Sequence, residues 1–267
     1  MATSSSDRPQ HPQSDAELPL AAPCRPLGTD APRRWLRLGW QDLRRAPRQS
    51  VAYGLVIVLL SYGVSALGYL LGDYILLLSL LSGFVFLGPV LAIGLYSISF
   101  QLEQELKPKL GYCLRQERRH LGDALVFSVG LLIVFLVWAR AASMVHVFFP
   151  VQAHPQWADL VTFLSVGTAV GSLFAAVIFS ASAFSLPMIM DRKVDTVTAV
   201  VTSINAVLRN RLPMAIWGGL IVAAVAVGFA TAFLGLAVLL PLIGHATWHG
   251  YRETIDASAW PASGDSH

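Results

Sequence analysis

The chain alternates long apolar runs with short polar or basic segments. A helix of about 20 apolar residues crosses the roughly 30 Å hydrocarbon layer of a bilayer. The apolar stretch from 213 to 251 covers nearly 39 residues, which is too long for one crossing, and we divide it near GFATAFLG at 228–235. The pattern therefore predicts an all-α, polytopic transmembrane helix bundle with six spans, or with five if this stretch crosses only once. The predicted spans are about 51–71, 74–100, 123–149, 160–190, 213–232 and 235–251.

The basic residues predict an orientation. Of the 19 Lys and Arg residues, eight lie in the first 50 residues, five in 101–122 and four in 191–212. The connections 72–73 and 150–159 contain none. Because cytoplasmic segments carry the excess of Lys and Arg, the N-terminus is predicted to be cytoplasmic. Six spans would return the C-terminus to that side and five would leave it outside.

Composition supports a membrane protein and limits the domains. The chain is 55% hydrophobic and 13% charged, against about 25% charged residues in soluble domains. Residues 1–32 are rich in Ser, Pro, Gln and Asp and lack the apolar region of a signal peptide, so they are predicted to be a disordered tail. The transmembrane domain is predicted at 33–255 and a second disordered tail at 256–267. Cys24 and Cys113 fall on the cytoplasmic side, where no disulfide is expected.

Three amphipathic stretches precede or follow the spans and are predicted to be interfacial helices on the cytoplasmic side. The first has an apolar side formed by Trp35, Leu36, Gly39, Trp40, Leu43 and Ala46, and a basic side formed by Arg33, Arg34, Arg37, Arg44 and Arg45. Such a helix lies in the headgroup layer, where arginine meets anionic phosphate. The predicted contacts with lipid headgroups are Trp35, Arg37, Trp40, Arg44 and Arg45. No nucleic-acid partner is predicted, because aromatic residues beside apolar spans favour lipid.

Arg140 is the only Lys or Arg inside an apolar run. An ion inside a membrane is a candidate functional site. However, Arg140 lies far along its span, where it could also reach the outer headgroups or pair with Asp73 or Asp159. We keep both interpretations open: an anchor, or a polar site on a substrate path.

The stretch GHATWHGY at 244–251 places His245 and His249 four residues apart, on one helical face. A closed zinc site or a haem would need further ligands, and the sequence has no HExxH, no CxxC and no carboxylate cluster beside the pair. The two histidines are therefore only weak candidates for a metal site, and no metal or cofactor is predicted. The alternative is an aromatic belt, with Trp248 and Tyr251, that closes the last span.

Small residues and prolines occur within the spans. Gly167 and Gly171 form a GxxxG pattern, which allows close helix packing. Pro89 and Pro187 are predicted to kink their spans. Because the sequence also lacks a phosphate-binding loop, a nucleophile elbow and paired carboxylates, no enzymatic activity is expected.

Three stretches resemble a known family. They are RLGWQDLRRAP, SLPMIMDRKVDTVTAVVTSINAVLRNRLPMAIW at 185–217 and LPLIGHATWHGYRE at 240–253. They are similar to the bacterial integral membrane family called domain of unknown function 2189, over roughly residues 33–255. The resemblance implies several spans in the bacterial inner membrane and no established activity. Some members are labelled as related to cytochrome c oxidase, but the ligand set of a haem–copper centre is absent from this sequence.

We therefore expect a non-enzymatic accessory or scaffolding component of the cytoplasmic membrane. Its expected partners are a bilayer with anionic headgroups and another membrane protein or complex. A small-solute transporter or permease is the first alternative. A respiratory-chain accessory subunit that binds haem or copper is the second.

Overall fold

The computed structural model describes residues 19–70, 88–109, 121–148 and 157–263. Within these ranges the chain is all-helical, with two isolated β-bridges and no strand. The helices are α1 (Ala31–Arg45), α2 (Pro47–Leu70), α3 (Gly88–Leu91), α4 (Ile93–Glu103), α5 (Leu121–Phe148), α6 (Trp157–Ser182), α7 (Ser185–Asp191), α8 (Thr196–Arg209), α9 (Arg211–Ala230) and α10 (Leu236–Thr254).

Four helical segments of the described chain are long and apolar enough to cross a membrane. They are Pro47–Leu70, Leu125–Met144, Val161–Asp191 and Arg211–Ala230. They coincide with the first, third, fourth and fifth predicted spans. Most of the predicted second span lies outside the described residues, and only its end is seen, as α3 and α4. The predicted sixth span forms α10, which is not among the four segments.

Helices are interrupted near both prolines that were predicted to kink their spans. Pro89 lies in the four-residue α3, which is separated from α4 by Ala92. Pro187 lies in α7, just after α6 ends at Ser182. A proline ring collides with the carbonyl four residues earlier and provides no N–H. For Pro187 that carbonyl belongs to Ala183, which lies in the interruption between α6 and α7. For Pro89 it belongs to Val85, which lies outside the described residues, so the predicted kink there stays a prediction. At the second break, the Ser203 hydroxyl of α8 accepts the backbone N–H of Phe184 at 3.1 Å.

The apolar face of α1 packs against protein. Helix α1 lies mainly across α10, and Trp35, Gly39 and Leu43 are buried there. The Trp35 ring makes edge-on contacts with Trp217 at 5.5 Å and with Phe184 at 6.1 Å between ring centroids. The prediction that Trp35 contacts lipid headgroups is therefore wrong, because its side chain is fully buried in the core.

The segments before α1 and after α10 are ordered against each other, which differs from the predicted disordered tails. The backbone N–H of Arg25 donates to the carbonyl of Thr254 at 2.8 Å, and that of Asp256 donates to the carbonyl of Pro23 at 2.9 Å. The Trp260 side chain is buried beside the α7–α8 connection, where Lys193 N–H donates to Pro261. The apolar residues of these short segments are covered by the bundle, and this burial offsets the cost of ordering them.

The main core lies at the end of the bundle where these two segments meet. Its largest fully buried side chains include Trp35, Trp217, Trp248, Tyr251 and Phe184. In contrast, many leucine and valine side chains of α2, α5, α6 and α9 remain exposed on the outside. The apolar outer surfaces along the long helices are those expected of helices that contact lipid.

Candidate functional site

Five polar side chains from four helices meet beside the core. They are Asp42 of α1, Ser50 of α2, Ser99 of α4, and His245 and His249 of α10. We call this set the histidine network. Its members come from positions up to 207 residues apart in the chain, so only the packing of α1, α2 and α4 around α10 brings them together.

His245 is fully buried, and both of its ring nitrogens have partners. Its Nε2 lies 2.9 Å from the Ser50 hydroxyl, and its Nδ1 lies 2.8 Å from the Ser99 hydroxyl. A neutral imidazole has one N–H donor and one acceptor nitrogen, and two hydroxyl groups can match both. The buried ring is therefore fully hydrogen-bonded within the protein.

The direction of these hydrogen bonds follows from Asp42. The Ser99 hydroxyl donates to Asp42 Oδ2 at 2.8 Å. Because that hydroxyl has only one hydrogen, it must accept from Nδ1–H of His245. Nε2 is then the acceptor nitrogen, and the Ser50 hydroxyl donates to it. The network thus runs from Ser50 through His245 and Ser99 to the carboxylate of Asp42.

His249 approaches the same carboxylate from the other side. Its Nε2 lies 2.8 Å from Asp42 Oδ2, so this nitrogen carries a hydrogen that it donates to the carboxylate. The side chain of His249 is 21% exposed, whereas that of Asp42 is only 6% exposed. His249 is therefore the member of the network that reaches the surface.

Arg252, in the last turn of α10, forms ion pairs with two neighbouring helices. Arg252 contacts Glu103 of α4 at 2.8 Å and Asp191 of α7 at 3.4 Å. Glu103 also accepts the indole N–H of Trp248 at 3.0 Å, and Asp191 accepts the Tyr251 hydroxyl at 2.7 Å. These contacts join the ends of α4 and α7 to the last turn of α10.

Glu253 joins α1 to the last turn of α10 in a similar way. One of its carboxylate oxygens accepts the indole N–H of Trp35 at 2.8 Å, and the other pairs with Arg34. The indole of Trp35 is thus satisfied although its ring is fully buried.

The sequence of serine, histidine and carboxylate in the network resembles that of a serine activated by a base. However, the serine is not accessible from outside the protein. The Ser50 hydroxyl faces the acceptor nitrogen of His245, as a nucleophile would. However, Ser50, Ser99 and His245 are almost completely buried, so a substrate has no approach to the hydroxyl in this structure. What the network can do is fix hydrogen positions and hold a charge on Asp42.

The two histidines predicted as weak metal candidates lie in one network but have different partners. Among the residues that the structure describes, no group of three or more His, Cys, Asp or Glu side chains is arranged to hold a metal ion. Metal binding by His245 would require breaking one of its two hydrogen bonds. The aromatic-belt interpretation is wrong, because His245, Trp248 and Tyr251 are buried in the protein and not at its lipid boundary.

Sequence reasoning missed Asp42, Ser50 and Ser99. One signal was available for Asp42, which lies two helical turns after Trp35 and is therefore an acid on the apolar face of α1. An acid on a face that is to be buried requires a partner. Ser50 and Ser99 gave no signal, because small polar residues are common in apolar helices.

The other predicted residues lie at the surface. Arg140 of α5 is exposed; of its predicted partners, Asp73 lies outside the described residues, and so does the side chain of Asp159. Arg37, Trp40, Arg44 and Arg45 are exposed on the side of α1 that faces away from α10. The guanidinium of Arg44 lies 5.1 Å from the centroid of the Trp40 ring, a cation–π contact.

The described chain has four long apolar helical segments with many apolar side chains on their outer surfaces. These features define the class of the protein: it is an integral membrane protein. A family model described as a predicted integral membrane protein, domain of unknown function 2189, matches residues 76–191. The match confirms the resemblance over those residues, which end with SLPMIMD. RLGWQDLRRAP and GHATWHGY lie outside the matched range. No curated protein and no solved structure matches the chain.

Proposed function

We propose that the protein is a non-enzymatic accessory or scaffolding component of the bacterial cytoplasmic membrane. The observation that carries this proposal is the closed histidine network beside apolar outer helices. Its polar groups are used to join α1, α2, α4 and α10 to one another. A group that is already paired and buried is suited to holding helices together, and exposed apolar side chains on the long helices leave surface for lipid or a membrane partner.

We also propose six crossings, with both termini in the cytoplasm. Support comes from the backbone hydrogen bonds between 23–25 and 254–256, which hold the segment before α1 and the segment after α10 together at one end of the bundle. Two ends on one side of a membrane require an even number of crossings. The contacts of Glu103 and Asp191 with Arg252 favour the same end for α4, α7 and α10. The excess of basic residues makes this end cytoplasmic.

In this orientation the exposed side of α1 would contact anionic headgroups. The predicted contacts Arg37, Trp40, Arg44 and Arg45 remain available on that surface. Arg33 at the start of α1 and Arg48 at the start of α2 are also exposed. Each Lys or Arg near an anionic surface contributes about 1 kcal/mol of attraction, so this face favours lipid with negative headgroups.

Reporter fusions test the topology. A reporter that is active only in the cytoplasm is placed after residue 263, and in a second protein within the connection 231–235 between α9 and α10. We expect activity at the first position and none at the second. Activity at neither position would indicate five crossings and would contradict the proposal.

Photo-crosslinking in native membranes tests the scaffolding role. A crosslinking amino acid replaces one exposed leucine at a time: Leu59 of α2, Leu132 of α5 or Leu234 after α9. A scaffold is expected to give one discrete protein adduct at some of these positions and lipid adducts at the others. Lipid adducts at every position would argue against a membrane-protein partner and against the scaffolding role.

A further inference from the structure

Asp42 is the point at which two sets of donors end. The Ser99 hydroxyl and the Nε2–H of His249 both donate to the same oxygen, Oδ2. The Ser99 hydroxyl in turn accepts the Nδ1–H of His245, and Nε2 of His245 accepts the Ser50 hydroxyl hydrogen. Each of these hydrogen bonds is therefore donated along the chain of groups that ends at Asp42. This arrangement fits an ionised carboxylate, which only accepts hydrogen bonds. A nearly buried negative charge is stable only when a positive partner is close.

His249 is the partner that can supply this positive charge. Its ring is part-exposed, so a proton can reach it from water. Asp42 and the other side chains of the histidine network are buried and have almost no contact with water. If the imidazole took up one proton, the hydrogen bond from its Nε2–H to the carboxylate of Asp42 would stay in place. The net charge of the pair would change from −1 to zero, and no other bond would be broken.

We propose that Asp42 and His249 form a proton-binding site that fastens α1 to α10. With the proton bound, the hydrogen bond between them joins two charged groups. Such a bond is roughly twice as strong as a neutral one. Because Asp42 belongs to α1 and His249 belongs to α10, the bound proton strengthens the attachment of α1. This site concerns the position of α1 and does not depend on the proposed scaffolding role.

Among the residues that the structure describes, the other charged groups near the network are paired with one another or exposed. Glu253, one helical turn after His249, is paired with Arg34 of α1. On α10, Arg252 is held by Glu103 of α4 and Asp191 of α7. On the same helix, His245 uses both ring nitrogens on hydroxyl groups. On α2, the charged residue nearest to Ser50 in sequence is Arg48, which is exposed. Within the network, His249 is therefore the part-exposed imidazole that lies directly against a carboxylate.

The direction of the pH effect follows from the proton balance. Histidine is the side chain that gains a proton between pH 8 and pH 5. The attached state of α1 gives that proton a carboxylate partner, so proton uptake favours attachment. Attachment should strengthen as the pH falls from 8 to 6, where carboxylates remain ionised.

Hydrogen–deuterium exchange of the full chain in lipid nanodiscs tests the proposal. The exchange of the peptide that covers α1 is measured at pH 8, 7 and 6 and divided by the intrinsic amide rate at each pH. We expect the corrected exchange of the wild-type protein to slow by about two- to tenfold from pH 8 to pH 6, the difference between a neutral and a charge-assisted hydrogen bond. No change with pH in the wild-type protein would overturn the proposal.

Two variants decide whether the pH effect belongs to this pair. In His249→Gln, the amide can still donate to the carboxylate, but its charge is the same at every pH. In Asp42→Asn, the side chain keeps its shape and loses the charge that the proton neutralises. We expect either variant to lose the pH dependence, so one that folds is sufficient. A pH dependence that persists in a folded variant would assign the effect to another group and would overturn the proposal.

Discussion

Gly39 of α1 lies directly against the backbone of Ala246 in α10. A Cβ atom on Gly39 would stand 2.7 Å from the amide nitrogen of Ala246 and 2.9 Å from the carbonyl oxygen of Leu242. Both neighbours are backbone atoms and cannot rotate away. This crossing point allows Trp35, on one side of it, and Asp42, on the other, to reach α10.

Gly39→Ala is expected to destabilise the protein by about 1–3 kcal/mol, the usual cost of forcing an extra methyl group into a closely packed contact. Gly219→Ala in α9 is the matched control, because a Cβ there meets nothing within 4 Å. The control should be neutral or slightly stabilising, since alanine favours helix over glycine. Thermal unfolding in mild detergent measures both. Equal stability of the two variants would mean that α1 does not approach α10 this closely.

Two buried serines of α2 are expected to respond differently to removal of their hydroxyl groups. Ser50 faces Nε2 of His245, whereas Ser61 donates to the carbonyl of Ile57 within its own helix. Ser50→Ala leaves a buried ring nitrogen without a partner, which costs about 1–3 kcal/mol. Ser61→Ala leaves a carbonyl that belongs to the helix ladder, so its cost should be below about 1 kcal/mol. Similar losses in unfolding experiments on both variants would contradict the hydrogen bond to His245.

Asp195 caps α8, and the part of its contribution to stability that depends on its charge should disappear at low pH. Its carboxylate accepts the backbone N–H of Thr198 at 3.0 Å. Hydrogen bonds from the Thr198 side chain and backbone hold the pKa of Asp195 below its ordinary value of 3.8. A carboxylate whose pKa is lowered by folding stabilises the fold above its unfolded pKa. This stabilisation is lost as the pH falls through the lower, folded value.

Asp195→Ala is therefore expected to cost about 1 kcal/mol at pH 7, a typical value for a lost N-cap. Asp195→Asn keeps an acceptor and should cost less at pH 7. The difference in stability between the wild-type protein and Asp195→Asn should shrink as the pH falls below about 4, as measured by chemical unfolding at a series of pH values. A difference that stays constant down to pH 2 would show that the charge of Asp195 contributes nothing to the cap.

Cys24 reports on the attachment of the segment before α1. Burial raises the pKa of its thiol, which lowers the fraction of reactive thiolate. The segment is fixed in part by the backbone N–H of Ala22, which donates to the Thr202 hydroxyl of α8 at 3.0 Å. In a Cys113→Ser background, the additional change Thr202→Val should release the segment and make alkylation of Cys24 at pH 8 faster.

The same measurement on a variant with Thr162→Val provides the control. The Thr162 hydroxyl donates to Ala158 within α6, so Cys24 should react at the rate of the parent protein. If Thr202→Val and Thr162→Val gave the same labelling rate, the segment before α1 would not depend on α8 for its position.

The long apolar runs correctly predicted four helices of the described chain. The apolar side chains of such a run avoid contact with water, and in lipid its backbone N–H and C=O groups must hydrogen-bond to one another, which a helix achieves. The predicted kink at Pro187 has the same local origin, since a proline changes its own helix wherever the helix lies. The spacing of His245 and His249 likewise placed both rings on one face of α10. These features depend on residues that are near one another in the sequence.

The tertiary structure decided what these faces meet. An apolar face with Trp35 and Gly39 looks the same whether it will be covered by lipid or by protein, and here the small Gly39 lets α10 cover it. Asp42, Ser50 and Ser99 are 146 to 207 residues from the histidines they contact, and no local pattern joins them. The sequence by itself determined that α10 carries two imidazoles on one face, and only the packing of α1, α2 and α4 around that face gave them a carboxylate and two hydroxyl groups.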